Sequence, residues 1–201
     1  MRKVLFLLII VSVIFFAGCN KYQQANAQDK NSTDSNVTID CQYYFNRKVK
    51  IKHETYKDSA TGKEIQSIHT QYDKNGNICD KEEYLYDLKT GTRTCIIYEK
   101  YNENGTVIQK NEFFFDSKTG AMTGKTQTVY RQNGEISYSY EFNYTSGWER
   151  PVSSIKNDYF NGKLFSKEEE YWDIKTHEKI RSKFTMYNND GSIRSQEEEK
   201  Y

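Results

Sequence analysis

Few side chains in this chain of 201 residues are suited to acid–base or metal chemistry. It contains three histidines, His53, His69 and His177. The first two are expected on adjacent strands as diagonal neighbours, but no third ligand accompanies them, and a zinc site needs at least three protein ligands. His177 stands where similar segments carry Gly91 and Gly120, which favours a role in a turn. The histidines therefore predict no metal site.

Carboxylates and thiols form no recognisable catalytic motif either. The acidic runs 168–170 and 197–199 would alternate between the two faces of a strand, whereas paired-carboxylate catalysis needs two acids converging in a cleft. Cys79 and Cys95 are expected on consecutive strands about four residues out of register, roughly 13 Å apart along the strands, which is beyond disulfide reach. We therefore expect free, half-buried thiols, no catalytic residues, no enzymatic activity and no cofactor.

One row of aromatic residues could bind a ligand. Tyr138, Tyr140, Phe142 and Tyr144 alternate with polar residues, which is typical of a strand with one packed face and one wet face. Aromatic faces stack on sugars and on partner side chains, so this row is a candidate binding face. The alternative is that these rings only pack the inner face of the sheet.

A seven-residue phrase recurs along the chain, as in "YNENGTV" at 101–107 and "YRQNGEI" at 130–136. A tyrosine begins each copy, at spacings of 28, 29, 29, 29 and 28 residues: Tyr44, Tyr72, Tyr101, Tyr130, Tyr159 and Tyr187. A second kind of turn, as in "YDLKTG" at 86–91, alternates with the first. A fixed period of this length predicts a repeat array of two-strand units.

The phrase predicts a hairpin with defined register. In 72–78 a three-residue loop ends at Gly76, because glycine adopts positive φ without a steric penalty, and Tyr72 then faces Ile78. Such a cross-strand pair fixes register, because a slip of one residue would move every side chain to the other face. The corresponding turn glycines are Gly105, Gly134, Gly162 and Gly191.

Two copies of the phrase, beginning at Tyr44 and Tyr159, read as one residue shorter. They predict two-residue loops in which Tyr44 faces Val49 and Tyr159 faces Leu164. In the first of them, Arg47 replaces glycine and would have positive φ.

The predicted fold is all-β: a repetitive antiparallel meander of about 10–11 strands over residues 37–201, forming an open, extended or rolled sheet. A closed up-and-down barrel is the alternative. The Tyr-x-x-Asn-Gly-x-aliphatic phrases resemble the bacterial MORN-variant repeat. That resemblance implies an extended or rolled antiparallel sheet and a role in protein contact.

The N-terminus predicts export. Two basic residues precede an apolar run at 4–16, which is shorter than a membrane span and similar to the core of a signal peptide. "FAGC" then resembles a bacterial lipoprotein motif. This resemblance implies that 1–18 is a signal peptide, that Cys19 is lipidated, and that the protein is anchored in the cell envelope, with the outer membrane or cell surface favoured by Asn20. An ordinary signal peptide or a short membrane anchor is the alternative.

Composition limits the partners. The polar segment 19–36 reads as a flexible tether, and 29 basic residues against 28 acidic ones give no attraction to nucleic acid. The leading hypothesis is a membrane-anchored, non-enzymatic interaction or scaffold module that contacts a protein or glycan through its sheet. A carrier of small apolar ligands inside a closed barrel is the alternative.

Overall fold

The computed structural model describes residues 36–145 and 150–201, which belong to one compact unit spanning 33–201. The predicted signal peptide at 1–18, Cys19 and nearly all of the tether at 19–36 lie outside the described residues. The described part folds into twelve strands: β1 (Val37–Tyr43), β2 (Val49–Lys57), β3 (Glu64–Tyr72), β4 (Ile78–Tyr86), β5 (Arg93–Tyr101), β6 (Val107–Phe115), β7 (Met122–Tyr130), β8 (Ile136–Asn143), β9 (Ser153–Phe160), β10 (Lys163–Trp172), β11 (Lys179–Tyr187) and β12 (Ile193–Lys200).

The strands form one antiparallel sheet in chain order, so the predicted all-β meander is confirmed. There are twelve strands rather than the expected 10–11, because β1 pairs ahead of the five repeat units and the final half unit.

The sheet is open. Among the described residues, β1 and β12 each pair with a single strand, so the closed-barrel alternative is wrong. The small-ligand carrier hypothesis required that closure.

The sheet is a single layer within the described ranges. Each strand contacts only its neighbours in the chain, so no second layer covers either face. The buried apolar residues are accordingly few: Cys95, Ile96 and Met122. Side chains are covered mainly by cross-strand neighbours on the same face, which is how a sheet of this kind is stabilised. No helix in 36–145 or 150–201 has the length and apolarity needed to cross a membrane.

The Asn-Gly turns have the predicted geometry. In the first full example, Gly76 has φ of 94°, its amide donates to the Asp73 carbonyl at 3.1 Å, and Tyr72 faces Ile78. The same pairing recurs as Tyr101 with Val107, Tyr130 with Ile136, and Tyr187 with Ile193. The shorter loop at 161–162 is also confirmed, because both its residues have positive φ and Tyr159 faces Leu164.

The first phrase departs from the prediction. Tyr43, not Tyr44, faces Val49, and the Tyr44 amide donates to the Lys48 carbonyl at 2.8 Å across a three-residue loop. Arg47 ends that loop with φ of 63°, so it takes the position that glycine holds elsewhere. The phrase therefore covers 43–49 at full length, and Tyr43 lies 29 residues before the next tyrosine of the series, Tyr72.

The alternate turns are organised by an aspartate. In 87–92 the Asp87 carboxylate accepts hydrogen bonds from the Thr90 amide at 2.8 Å and the Thr90 hydroxyl at 3.0 Å, and the Gly91 amide donates to the Asp87 carbonyl. His177 has φ of 59° at the glycine position, which confirms its predicted role in a turn. The short turn expected at 144–147 lies partly outside the described residues, and the connection between β8 and β9 runs over 144–152.

Candidate binding face

The register assigns the strand side chains to two faces of the sheet. The aromatic face carries Tyr98, Phe113 and Tyr140, while the paired-charge face carries Glu54 and Glu112. Because neither face is covered within the described residues, each is a surface that a partner could contact.

The predicted aromatic row lies on one side of β8, as its alternation indicates. The ring centroids of Tyr138 and Tyr140 are 5.7 Å apart in an edge-to-face arrangement, and those of Tyr140 and Phe142 are 5.9 Å apart and stacked. Tyr144 follows directly after the strand, and burial raises the pKa of its hydroxyl. These rings support one another, since aromatic pairs in such geometries add to stability beyond their buried area.

The row extends across the sheet into a larger array. Register pairs join Tyr84 to Ile96, Ile96 to Phe113, Phe113 to Lys125, and Lys125 to Phe142, so three rings lie in one line on β4, β6 and β8. Tyr98 packs edge-to-face on Phe113 at 5.8 Å between centroids. In the row that contains Phe113, the rings thus lie on every second strand, with Ile96 and Lys125 between them.

Cations occupy positions between these rings. The Arg93 guanidinium lies 4.8 Å from the centroid of Tyr84, the Lys125 ammonium 5.4 Å from that of Phe113, and the Lys156 ammonium 6.0 Å from that of Tyr140. A cation over a ring face is attracted by the ring quadrupole. We call this set the aromatic grid; its members are Tyr84, Tyr98, Phe113, Tyr140, Phe142, Arg93, Lys125 and Lys156.

Carboxylates border the aromatic grid: Glu168 lies opposite Lys156, while Glu82 and Asp158 are engaged within the grid. Glu82 accepts a hydrogen bond from the Tyr84 hydroxyl at 2.6 Å, and Asp158 forms an ion pair with Lys156 at 3.1 Å. The Asp158 hydrogen bond raises the pKa of Lys156, and burial, followed by the Glu82 hydrogen bond, raises the pKa of Tyr84. Both groups therefore keep their protons at neutral pH, as donors.

The centre of the aromatic grid also carries amides. Asn111 and Gln127 face each other on β6 and β7, with Tyr98 opposite the first and Tyr140 opposite the second. An amide side chain offers both donors and an acceptor. The surface thus combines ring faces, cations and amides without a cleft.

The opposite face is neutralised internally. Lysine and glutamate two residues apart form ion pairs of 2.9–3.2 Å on four even-numbered strands: Lys52–Glu54, Lys81–Glu83, Lys110–Glu112 and Lys167–Glu169. Glu54 is buried, with 8% of its surface exposed, and it also accepts from the Tyr56 hydroxyl at 3.2 Å. Burial, followed by the Glu54 charge, raises the pKa of Tyr56 to about 12. This face presents few groups that still need a partner.

The histidines are closer than predicted. His53 and His69 are direct cross-strand partners rather than diagonal ones, with ring centroids 6.3 Å apart. In the part of the chain that the structure describes, no three histidine, cysteine or acidic side chains are placed to hold a metal ion. The two histidines lie in one register row, in which Asp40 faces His53 and Glu82 faces His69.

The two central cysteines remain thiols. Cys95 is buried between Leu85 and Phe114, more deeply than expected, and burial raises its pKa. Burial also raises the pKa of Cys79, which is half-buried on β4. A raised thiol pKa lowers the fraction of nucleophilic thiolate, so neither residue has the environment of a catalytic cysteine.

A hollow beside the turn between β10 and β11 is small and open. It has a volume of about 180 Å³ and is lined by Arg150, Pro151, Trp172 and His177. Small-molecule sites commonly measure about 300–1,000 Å³. The aromatic grid is therefore the stronger candidate site.

Sequence reasoning identified the β8 row but missed its partners on β4 and β6. A signal was present, because Tyr84, Phe113 and Phe142 are separated by 29 residues each, as are Tyr86, Phe115 and Tyr144. Positions one repeat apart occupy equivalent places on strands two apart, so the period alone would have aligned these rings in rows.

Comparison with known proteins gives no family. No protein-family model matches the chain, and no curated protein matches it. Among solved structures, it is similar to a protein of unknown function from Bacteroides fragilis NCTC 9343, at 10% identity and a TM-score of 0.21, over 82% of this chain and 93% of that one. A likeness of that size carries no argument about fold or function.

Proposed function

We propose that this protein is an exported, lipid-anchored, non-enzymatic interaction module that binds a protein or glycan through the aromatic face of its sheet. The observation that carries the proposal is the aromatic grid, in which ring faces, amides and cations lie together on a surface that no other described element covers. Aromatic and arginine side chains of this kind are enriched in the surfaces that proteins use to bind partners.

The open, single-layer geometry favours binding over catalysis. Catalysis requires groups that converge on one reacting atom, usually in a site that excludes water. The grid instead spreads its side chains over β4–β9, and the carboxylates beside it, Glu82 and Asp158, are engaged in a hydrogen bond and an ion pair along the surface. Such a surface suits an extended partner that makes many weak contacts.

The envelope location rests on the residues that precede the sheet. In bacteria expressing the full chain, radiolabelled fatty acid is expected to label the wild-type protein and not a Cys19→Ala variant, and only the wild type should remain in the membrane fraction. An unlabelled wild-type protein would remove the lipid anchor from the proposal.

The binding face is tested by cross-linking in intact cells. A benzophenone amino acid placed at Tyr140, on the aromatic face, is expected to give adducts with envelope material. The same group at the exposed neighbour Glu141, on the opposite face, serves as the matched control and should give few. Equal yields at the two positions, or none at either, would count against binding through the aromatic face.

A further inference from the structure

We propose that the aromatic grid binds an acidic polysaccharide, a polymer of sugars bearing carboxylates, which lies across the strands. This inference rests on the proposed function and names the chemical class of its ligand. Three features of the grid support it: the spacing of its rings, the position of its cations, and the amides at its centre.

The rings are spaced periodically. Tyr84, Phe113 and Phe142 lie in one register row on alternate strands, so neighbouring rings are about 10 Å apart, twice the separation of paired strands. A row of equally spaced rings suits a ligand that itself repeats, because each unit can pack its C–H groups against the exposed part of a ring in the same way. A globular partner has no such period.

The cations lie beside the rings, where acidic groups on a chain that follows the row could reach them. Lys125 is placed in the same row between Phe113 and Phe142, Arg93 lies over the Tyr84 ring, and Lys156 lies over the Tyr140 ring. Hydrogen bonds from ammonium and guanidinium groups to carboxylates are about twice as strong as neutral ones. Lys156 is already paired with Asp158, so the charges that an acidic ligand would use are chiefly those of Arg93 and Lys125.

The amides supply contacts that charge and stacking do not. Asn111 and Gln127 face each other between the rings of Tyr98 and Tyr140 and present donors and acceptors of the kind that sugar hydroxyls bind. Nucleic acid also combines stacking with negative charge, but 29 basic residues against 28 acidic ones give no general attraction to a phosphate backbone. The balance of the chain thus favours a polymer that is less densely charged than duplex DNA, which carries one negative charge per about 1.7 Å.

The first experiment measures binding of the full chain, purified in detergent, to polygalacturonate and to neutral dextran by affinity electrophoresis. Polygalacturonate is expected to retard the protein, dextran is not, and salt should weaken the retardation because exposed charges are screened. Combined replacement of Arg93, Lys125 and Lys156 by glutamine is expected to weaken binding by about tenfold or more, equivalent to about 1.4 kcal/mol.

The matched control changes charge by the same amount elsewhere. Lys74, Lys118 and Lys175 are exposed residues in the turns, and their combined replacement by glutamine should change binding less than about twofold, well below the tenfold step worth about 1.4 kcal/mol. Equal losses in the two triple variants would mean non-specific attraction and would overturn the inference.

A second pair of variants tests the rings. Phe113→Leu with Phe142→Leu keeps apolar cover on the sheet but removes two stacking faces, so binding to polygalacturonate should fall. Phe45→Leu with Phe165→Leu removes two exposed rings that lie outside the grid and should leave binding unchanged. Circular dichroism and melting curves identify any variant that fails to fold, and the lysine variants then decide the question.

The outcomes separate this inference from the proposed function. If dextran is bound as well as polygalacturonate, or if neither is bound while cross-links still form at Tyr140, the acidic polysaccharide is wrong and the interaction module stands. If neither polymer is bound and cross-linking at Tyr140 equals that at Glu141, both fail.

Discussion

Some turns of this sheet place a residue other than glycine at positive φ. Among the described residues, three that are not glycine have positive φ: Arg47, Asn161 and His177, and each lies in a turn. A side chain at positive φ brings Cβ close to the backbone, and the left-handed region costs most residues about 1–2 kcal/mol. The turn survives the substitution because the flanking strands hold it.

Reciprocal variants test this cost. Arg47→Gly should raise the free energy of unfolding by about 0.5–1 kcal/mol, while Gly105→Arg should lower it by a similar or larger amount. Nothing lies within 4 Å of a Cβ added at Gly105, so the expected loss comes from the backbone alone. Urea denaturation of both variants measures the two effects. Two changes of the same sign would contradict the explanation.

The turn aspartates predict a dependence on pH. The Thr119 amide and then its hydroxyl, both at 2.8 Å from the Asp116 carboxylate, hold the pKa of Asp116 below its ordinary value of 3.8. Because the folded pKa is the lower one, the stabilisation is complete above about pH 4 and is lost as the pH falls through the folded value. The turns at Asp58, Asp87 and Asp173 share this direction.

Asp116→Asn should therefore lower stability at neutral pH, and the difference from the wild type should shrink as the pH falls below 4. Denaturation midpoints measured between pH 6 and pH 2 test this. Glu103→Gln, in an exposed Asn-Gly loop, controls for the loss of one negative charge. A difference that grows with acidity would carry the wrong sign and refute the assignment.

Neighbouring hairpins are joined through their turns as well as their strands. The Lys48 ammonium donates to the Asn75 carbonyl at 2.7 Å and the Lys163 ammonium to the Asn189 carbonyl at 2.8 Å, each linking one Asn-Gly turn to the next. On the paired-charge face, the lysine–glutamate pairs recur on alternate strands. Each two-strand unit thus forms all of its turn hydrogen bonds only when the next unit is present.

The ion pair Lys52–Glu54 gives the sharpest test of how the paired-charge face stabilises the strands. Glu54 is buried, so Lys52→Ala should cost about 1–3 kcal/mol by leaving the carboxylate without its cation. Replacing both residues, as Lys52→Met with Glu54→Leu, should recover most of that loss, since apolar groups of similar size avoid the uncompensated charge. Chemical denaturation measures both. A double variant less stable than the single one would contradict the explanation.

The described part of the molecule is stabilised by nearest neighbours. Each strand contacts only the strands beside it, so stability is expected to approximate a sum of strand and interface contributions, as in repeat proteins. The largest apolar burial lies at β5 and β7, in Cys95, Ile96 and Met122. All residues of β12 are exposed.

Amide hydrogen exchange of the 201-residue chain should therefore show graded protection, highest in β5–β7 and lowest in β1 and β12. Mass spectrometry of peptides from the exchanged protein measures the gradient. Ile96→Ala removes buried apolar surface from β5, so it should increase amide exchange in β4–β6 more than in β10–β12. Uniform protection that is lost in one step would instead show that the sheet unfolds as a single cooperative unit.

Much of the fold is predictable because the local signals agree. The Asn-Gly phrase fixes its own turn and the Tyr–aliphatic pair, as at Tyr101 and Val107, and the alternation on β8 fixes which side chains share a face. The prediction failed at Tyr43 and Tyr44, where two adjacent tyrosines fit the phrase and only the loop hydrogen bonds select between them. It was incomplete at the candidate site, because rings from three hairpins meet there.

The sequence by itself determined the strands, the two kinds of turn and the order of the sheet, because these depend on backbone preferences and on pairs a few residues apart. Only the tertiary structure decided that the sheet stays open and that Arg93, Lys125 and Lys156 lie over rings from neighbouring strands. The reason is physical: closure and cross-strand contacts depend on registers added over many strands, and no local phrase contains that sum.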